Sequence, residues 1–174
     1  MQPNTALPQN YRQIENDLAA GLNAYRVQQG LPPLARSPLL DQVARAHVAD
    51  LADHRPDTGT DTRGQPCNLH SWSAKGPWEP VCYTADHAYA ALMWSKPGEI
   101  TKGGYPGKGY EIAYWSSQPA TAEDALASWE SSPGHQALMA EKGQWADPPW
   151  RAFGVGVDNG YAVIWFGQEP DPAK

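Results

Sequence analysis

Two short apolar runs near the end of the chain, Phe153–Val157 and Tyr161–Phe166, face each other across Asp158-Asn159-Gly160. Asn-Gly between alternating apolar residues is a strong signal for a two-residue hairpin turn. A lone hairpin is marginal in water, so other elements must cover its apolar face. Upstream, the apolar positions Ile14, Leu18, Leu22 and Tyr25 recur at helical spacing from Asn10 to Gln29, and Gly30 stands where a C-cap belongs. Ser37-Pro38 then supplies an N-cap with proline at the first helical position. Leu40, Val43, Ala44, His47, Val48 and Leu51 form the stripe of a second helix.

Residues 55 to 83 show no periodicity and carry both cysteines, Cys67 and Cys82. So long a loop is expected to be functional or stapled. An even pair in it reads as a disulfide, worth about 3 kcal/mol through loop entropy. Thr84 to Lys96 reads as a third helix with Tyr89, Leu92 and Met93 inward, and the Gly-, Lys- and Pro-rich residues 97 to 109 as a mobile loop. Tyr110 to Trp115 alternates as a strand, expected at the centre of the sheet, with Glu111, Ala113 and Trp115 on one face. Thr121 caps a further helix. Ser132-Pro133 opens a short one that carries His135 in its first turn. Helices lead, strands close, and one strand lies between helices. That order predicts a layered α+β fold rather than a doubly wound sheet, in a single domain over residues 1–174 with its core from about 10 to 167.

Charge narrows the partners. Nineteen Asp and Glu against thirteen Lys and Arg leave a net charge of −6. Nucleic acid requires a basic patch, and so does an anionic membrane surface; neither is expected as a partner. No run approaches the roughly 20 apolar residues of a spanning helix. The opening MQPNTALPQNYR is polar, so an exported chain is expected to have lost its leader. Eight Trp and eight Tyr stand against two Phe, a bias that suits half-wet binding walls.

Of five histidines, His47 lies on the stripe of the second helix and reads as a satisfied core residue, while His87 reads as solvated. His54, His70 and His135 remain as site candidates. At a helix start His135 is expected neutral, because the positive end of the helix disfavours imidazolium. Glu111 stands among apolar neighbours, where a carboxylate is costly unless paired or hydrogen-bonded. No Gly-x-Ser-x-Gly, phosphate-binding loop, dinucleotide fingerprint or His-Glu-x-x-His occurs.

The order of these segments resembles the CAP superfamily of cysteine-rich secretory, antigen 5 and pathogenesis-related-1 proteins, also called SCP domains, in a bacterial form. Leu22-Asn-Ala-Tyr-Arg26 with Gly30-Leu-Pro-Pro-Leu34 is similar to that family's first-helix motif, and Leu39 to Leu51 to its second helix. Tyr110-Glu-Ile-Ala113 resembles its Gly-Glu-Asn-hydrophobic signature. Trp129 to His135 resembles the bacterial Trp-x-x-Ser-Pro-Gly-His, and Gly154-Val-Gly-Val157 with Tyr161 to Gly167 the closing hairpin.

The resemblance implies a three-layer α-β-α sandwich, usually secreted or periplasmic, with a small, mostly antiparallel sheet between helices. It also implies a cleft of two His and two Glu that in some members takes a divalent metal. Glu111 matches the first Glu and His135 the second His. His70, followed by Ser71, is preferred for the first His, with His54 the alternate. The second Glu falls on Ser132, and Glu130 would point elsewhere. The expected site is therefore His70, Glu111 and His135, walled by aromatics including Trp72 and Trp115. Those three are also the candidate ligands of Zn²⁺ or another divalent cation. Losing the fourth residue moves the expectation from a zinc-dependent hydrolase towards a monomeric module binding a small molecule, lipid or peptide; a structural or surface-interaction domain is the remaining alternative.

Overall fold

The computed structural model describes residues 7–173, with side chains from Asn10; the polar opening and its expected lost leader lie largely outside the described residues. Helix α1 runs Leu7–Gln28, and Gly30 beyond it takes φ +81°. Helix α2 runs Pro38–His54, capped by Ser37 Oγ, which accepts the Leu40 N–H at 3.0 Å. Strand β1 (Gly109–Trp115) precedes helices α5 (Ala122–Glu130) and α6 (Pro133–Met139), and strands β2 (Ala152–Asp158) and β3 (Tyr161–Gly167) close the chain. Between α2 and β1 lie two one-turn helices, α3 (Ala90–Trp94) and α4 (Lys96–Ile100).

The sheet is antiparallel with order β1-β3-β2, so the hairpin strand β3 is central. β1, expected in the middle, is an edge strand. Both outer edges are partly covered: the Trp129 indole donates to the Ala113 carbonyl at 3.1 Å, Asp41 accepts the Val155 N–H at 2.9 Å, and the Ala35–Ser37 backbone bonds Phe153.

One sheet face, with Ile112, Phe153, Val155, Ile164 and Phe166, packs against Leu18 and Leu22 of α1, Trp129 of α5 and Leu138 of α6. The other, with Val163 and Trp165, packs against Leu40, Val43, Ala44, Val48 and Leu51 of α2 and against Trp72 and Tyr83. The fold is thus an α+β, three-layer α-β-α sandwich. On β2 the residues facing α2 include Gly154 and Gly156, and a Cβ on Gly156 would stand 2.5 Å from the Ala44 carbonyl carbon. The helix backbone lies directly on the strand there.

Cys67 and Cys82 form the expected disulfide. It staples residues 67–83 into a narrow ribbon. Asn68 N–H donates to Tyr83 O at 2.8 Å, and Trp72 and Val81 exchange backbone bonds of 2.9 and 3.1 Å. The third helix is shorter than expected. His87 sits at φ +61°, and Asp86 accepts bonds from Thr84 Oγ1 and Ala88 N–H, so turns occupy Thr84 to Tyr89. The expected loop from residue 97 is instead helical to Ile100, tied down by buried Lys96, whose Nζ donates to Glu79 O, Leu92 O and Glu99. Among the described residues no helix is long and apolar enough to cross a membrane.

Candidate functional site

Glu111 points from β1 towards the α2 layer, opposite Trp165 in the register, and its side chain is fully buried. Its partners come from both sides. Oε2 meets His47 Nδ1 in a very short contact from α2, and Oε1 meets His70 Nδ1 at 2.8 Å from the stapled ribbon. The other His47 nitrogen, Nε2, lies 2.8 Å from the Ser71 carbonyl oxygen. Trp72 stacks on the His47 ring with centroids 4.1 Å apart and planes within 8°, and Trp165 meets it edge-on.

Donor and acceptor accounting fixes the protons. A carbonyl only accepts, so His47 Nε2 carries hydrogen. Burial pushes the Glu111 carboxyl up, but the His47 charge and the hydrogen bonds from His47 and His70 outweigh it and hold the group below its ordinary value. Glu111 is therefore a carboxylate that accepts from both imidazoles. His47 then carries both ring hydrogens, and the Trp72 face beneath it suits a cation. The hydrogen that His70 directs at Glu111 is its Nδ1–H, and in the neutral ring Nε2 keeps a lone pair.

His70 and His135 line one cavity of about 370 Å³ with Glu111 at its wall. Tyr83, Met93, Trp94, Tyr110 and Trp145 supply its apolar and aromatic sides. Glu111 raises the Tyr83 hydroxyl's pKa further after burial has raised it. His87, expected to be solvated, is exposed but also lines the cavity, with Nδ1 2.9 Å from Tyr83 OH. His135 Nδ1 is buried with no hydrogen-bond partner.

Three expected site residues fall elsewhere. His54 is exposed on the last turn of α2, since α2 ends before the chain reaches the cleft; His70 takes the place beside Glu111. Trp72 is 1% exposed and backs His47 instead of lining the cavity. Trp115 shares the face of Glu111, but four residues along the strand carry it to a shallow depression beside Arg55 and Asp57. His47 is the member that sequence reasoning missed. Its signal was present: a histidine on the helix stripe that covers the sheet is the nearest partner for a carboxylate buried on that sheet.

The residues do not fit a three-ligand metal centre. Both Glu111 oxygens are engaged by imidazoles, and among the described residues no group of three or more His, Cys, Asp or Glu is placed to hold a metal ion. Glu111 acts on the cavity through His70, which it orients.

Burial lowers the His135 pKa, and any positive charge on neighbouring His70 would lower it further. The fold thus favours the neutral ring. As pH falls below about 6.5 the unfolded chain takes up this proton first, so His135 subtracts stability on acidification. Thermal melts from about pH 7 to about pH 5 should show a shallower loss for His135→Gln than for the wild type; equal slopes would contradict the assignment.

An α-β-α sandwich with a buried carboxylate between imidazoles defines the class of this molecule. The family described as "CAP: Cysteine-rich secretory protein family" matches residues 20–159, and the chain belongs to it. Among solved structures it is similar to an extracellular protein containing an SCP domain from Bacillus anthracis, with 17% identity and a TM-score of 0.62 over 97% of this chain and 44% of that one. A cysteine-rich secretory protein from Staphylococcus aureus aligns at 14% identity and TM-score 0.56, covering 91% of this chain and 39% of the other. An outer surface protein from Borrelia burgdorferi aligns at 15% and 0.52, covering 89% and 92%. The chain spans less than half the length of the first two. No curated protein matches it.

Proposed function

We propose that this chain is a monomeric, extracytoplasmic binding domain whose cavity holds a small ligand with an apolar body. The carrying observation is the commitment of Glu111 to two imidazoles beside a cavity of about 370 Å³ with aromatic walls. A carboxylate so engaged serves as an anchor, and Glu111 itself is not free to ligate a metal ion or to act as the general base of a metal-dependent hydrolase. The cavity has the size and the mostly apolar lining of a small-molecule site. The disulfide and the extracellular or surface origin given for similar structures support a place outside the cytoplasm.

The uncharged fluorophore N-phenylnaphthylamine tests this. Saturable one-to-one binding is expected at about micromolar Kd, near −8 kcal/mol. Ala90→Trp, which fills the cavity at one of its lining residues, should abolish it. Absence of saturable binding by the folded wild type would sink the proposal. Calorimetric titration with Zn²⁺ supplies the opposing check, because a tight one-site isotherm lost in His135→Ala would favour the hydrolase.

A further inference from the structure

The hydrogen-bond inventory of the cavity narrows the head group of its ligand, an inference that rests on the binding role proposed above. His70 Nδ1–H is spent on Glu111 at 2.8 Å, and Nε2 has no protein partner among the described residues. With the lone pair of Nε2 retained, His70 offers an acceptor. His135 is a neutral ring with one donor nitrogen and one acceptor, and its Nδ1 is buried and unpartnered. An unpartnered buried polar atom costs about 1–3 kcal/mol, so a ligand that satisfies it gains correspondingly.

A carboxylate head only accepts and would set its oxygens against the His70 lone pair. An ether likewise accepts without donating. A hydroxyl does both from one atom. We propose that this cavity takes an uncharged alcohol, whose hydroxyl donates to His70 Nε2 and accepts from the His135 ring while its apolar body lies against Trp94, Tyr110 and Trp145. His47 holds Glu111 Oε2, which leaves Oε1 to orient the His70 ring.

Displacement of N-phenylnaphthylamine by n-octanol, n-octyl methyl ether and octanoate, at about pH 8 where ordinary imidazoles are neutral, provides the test. The three share one apolar body and differ in the head. Octanol should displace the dye at about tenfold lower concentration than either other probe, the worth of one well-made hydrogen bond. In His70→Ala the three should converge to within about threefold of one another, each referred to the dye Kd measured for that variant. His135→Ala, further from the buried carboxylate, is a second variant with the same expected convergence should His70→Ala fail to fold. Octanoate or the ether matching octanol in the wild type would overturn the head-group inference and leave the cavity role standing. Failure of the dye itself to bind would overturn both.

Discussion

Glu111→Ala is expected to lower the stability of the domain by about 3–5 kcal/mol, because it removes one partner of a fully buried His47–Glu111 pair and strands the other. At about 2–4 °C per kcal/mol for a chain of this length, the melting temperature should fall by about 6–20 °C. Glu111→Gln should behave differently. The amide N–H can donate to His47 Nδ1 once that ring is neutral, His47 Nε2–H still reaches the Ser71 carbonyl, and the amide oxygen still accepts from His70. Every partner stays satisfied, so the cost should be about 1 kcal/mol, in the range of one ordinary hydrogen bond. Calorimetric melts of the two variants at neutral pH check this pair of outcomes. Equal, large losses would mean that the negative charge itself, and not the hydrogen-bond set, holds the cluster together. Glu111 with its lowered pKa also predicts a direction with pH: its share of stability is present above the ordinary Glu value near 4.3 and is lost as pH falls through the lower folded value.

Gly156→Ala should cost at least about 3 kcal/mol, the upper end for overpacking, since the added methyl meets main chain, which cannot rotate away. The new Cβ would lie 2.5 Å from the Ala44 carbonyl carbon, 2.6 Å from its oxygen and 2.8 Å from the Arg45 nitrogen. Gly154 presses in the same way on Leu40 and Asp41, so the double variant should yield no folded protein. Denaturant titration of the single variant measures the first, and soluble yield with circular dichroism the second. A near-neutral Gly156→Ala would show that α2 sits further from β2 than described. By contrast, Gly98→Ala in α4, where nothing lies within 4 Å of a new Cβ, should cost far less.

These two sites mark where sequence reasoning succeeds and where it stops. Ser37-Pro38 and Thr121 place helix starts because a cap is a local event: Ser37 Oγ and Thr121 Oγ1 bond N–H groups three residues on. Asn159-Gly160 placed the hairpin for a similar reason, with Asn159 at φ +50° and Gly160 tight against the Ser116 carbonyl. Non-local pairing is different. Nothing in Tyr110 to Trp115 says whether it lies at the edge or the middle of a sheet, because its Ile112 face is buried either way. The late start of α3 depends on His87 taking a left-handed backbone angle, which that residue type does not announce. The partner of Glu111 was legible in type but not in identity: a buried carboxylate demands donors, and only the packing of α2 on the sheet reveals that His47 supplies one alongside His70. Trp115 shows the converse error, since sharing a face with Glu111 does not mean sharing a cleft over the length of a strand.

The central claim is that Glu111 is ionised and clamped between a doubly protonated His47 and a His70 that keeps a free Nε2. Nitrogen-15 NMR of the histidine rings at neutral pH tests it most directly. His47 should show hydrogen on both ring nitrogens, and His70 hydrogen on Nδ1 with an unprotonated Nε2. A His47 with a bare Nδ1, or a His70 with hydrogen on Nε2 alone, would contradict the account.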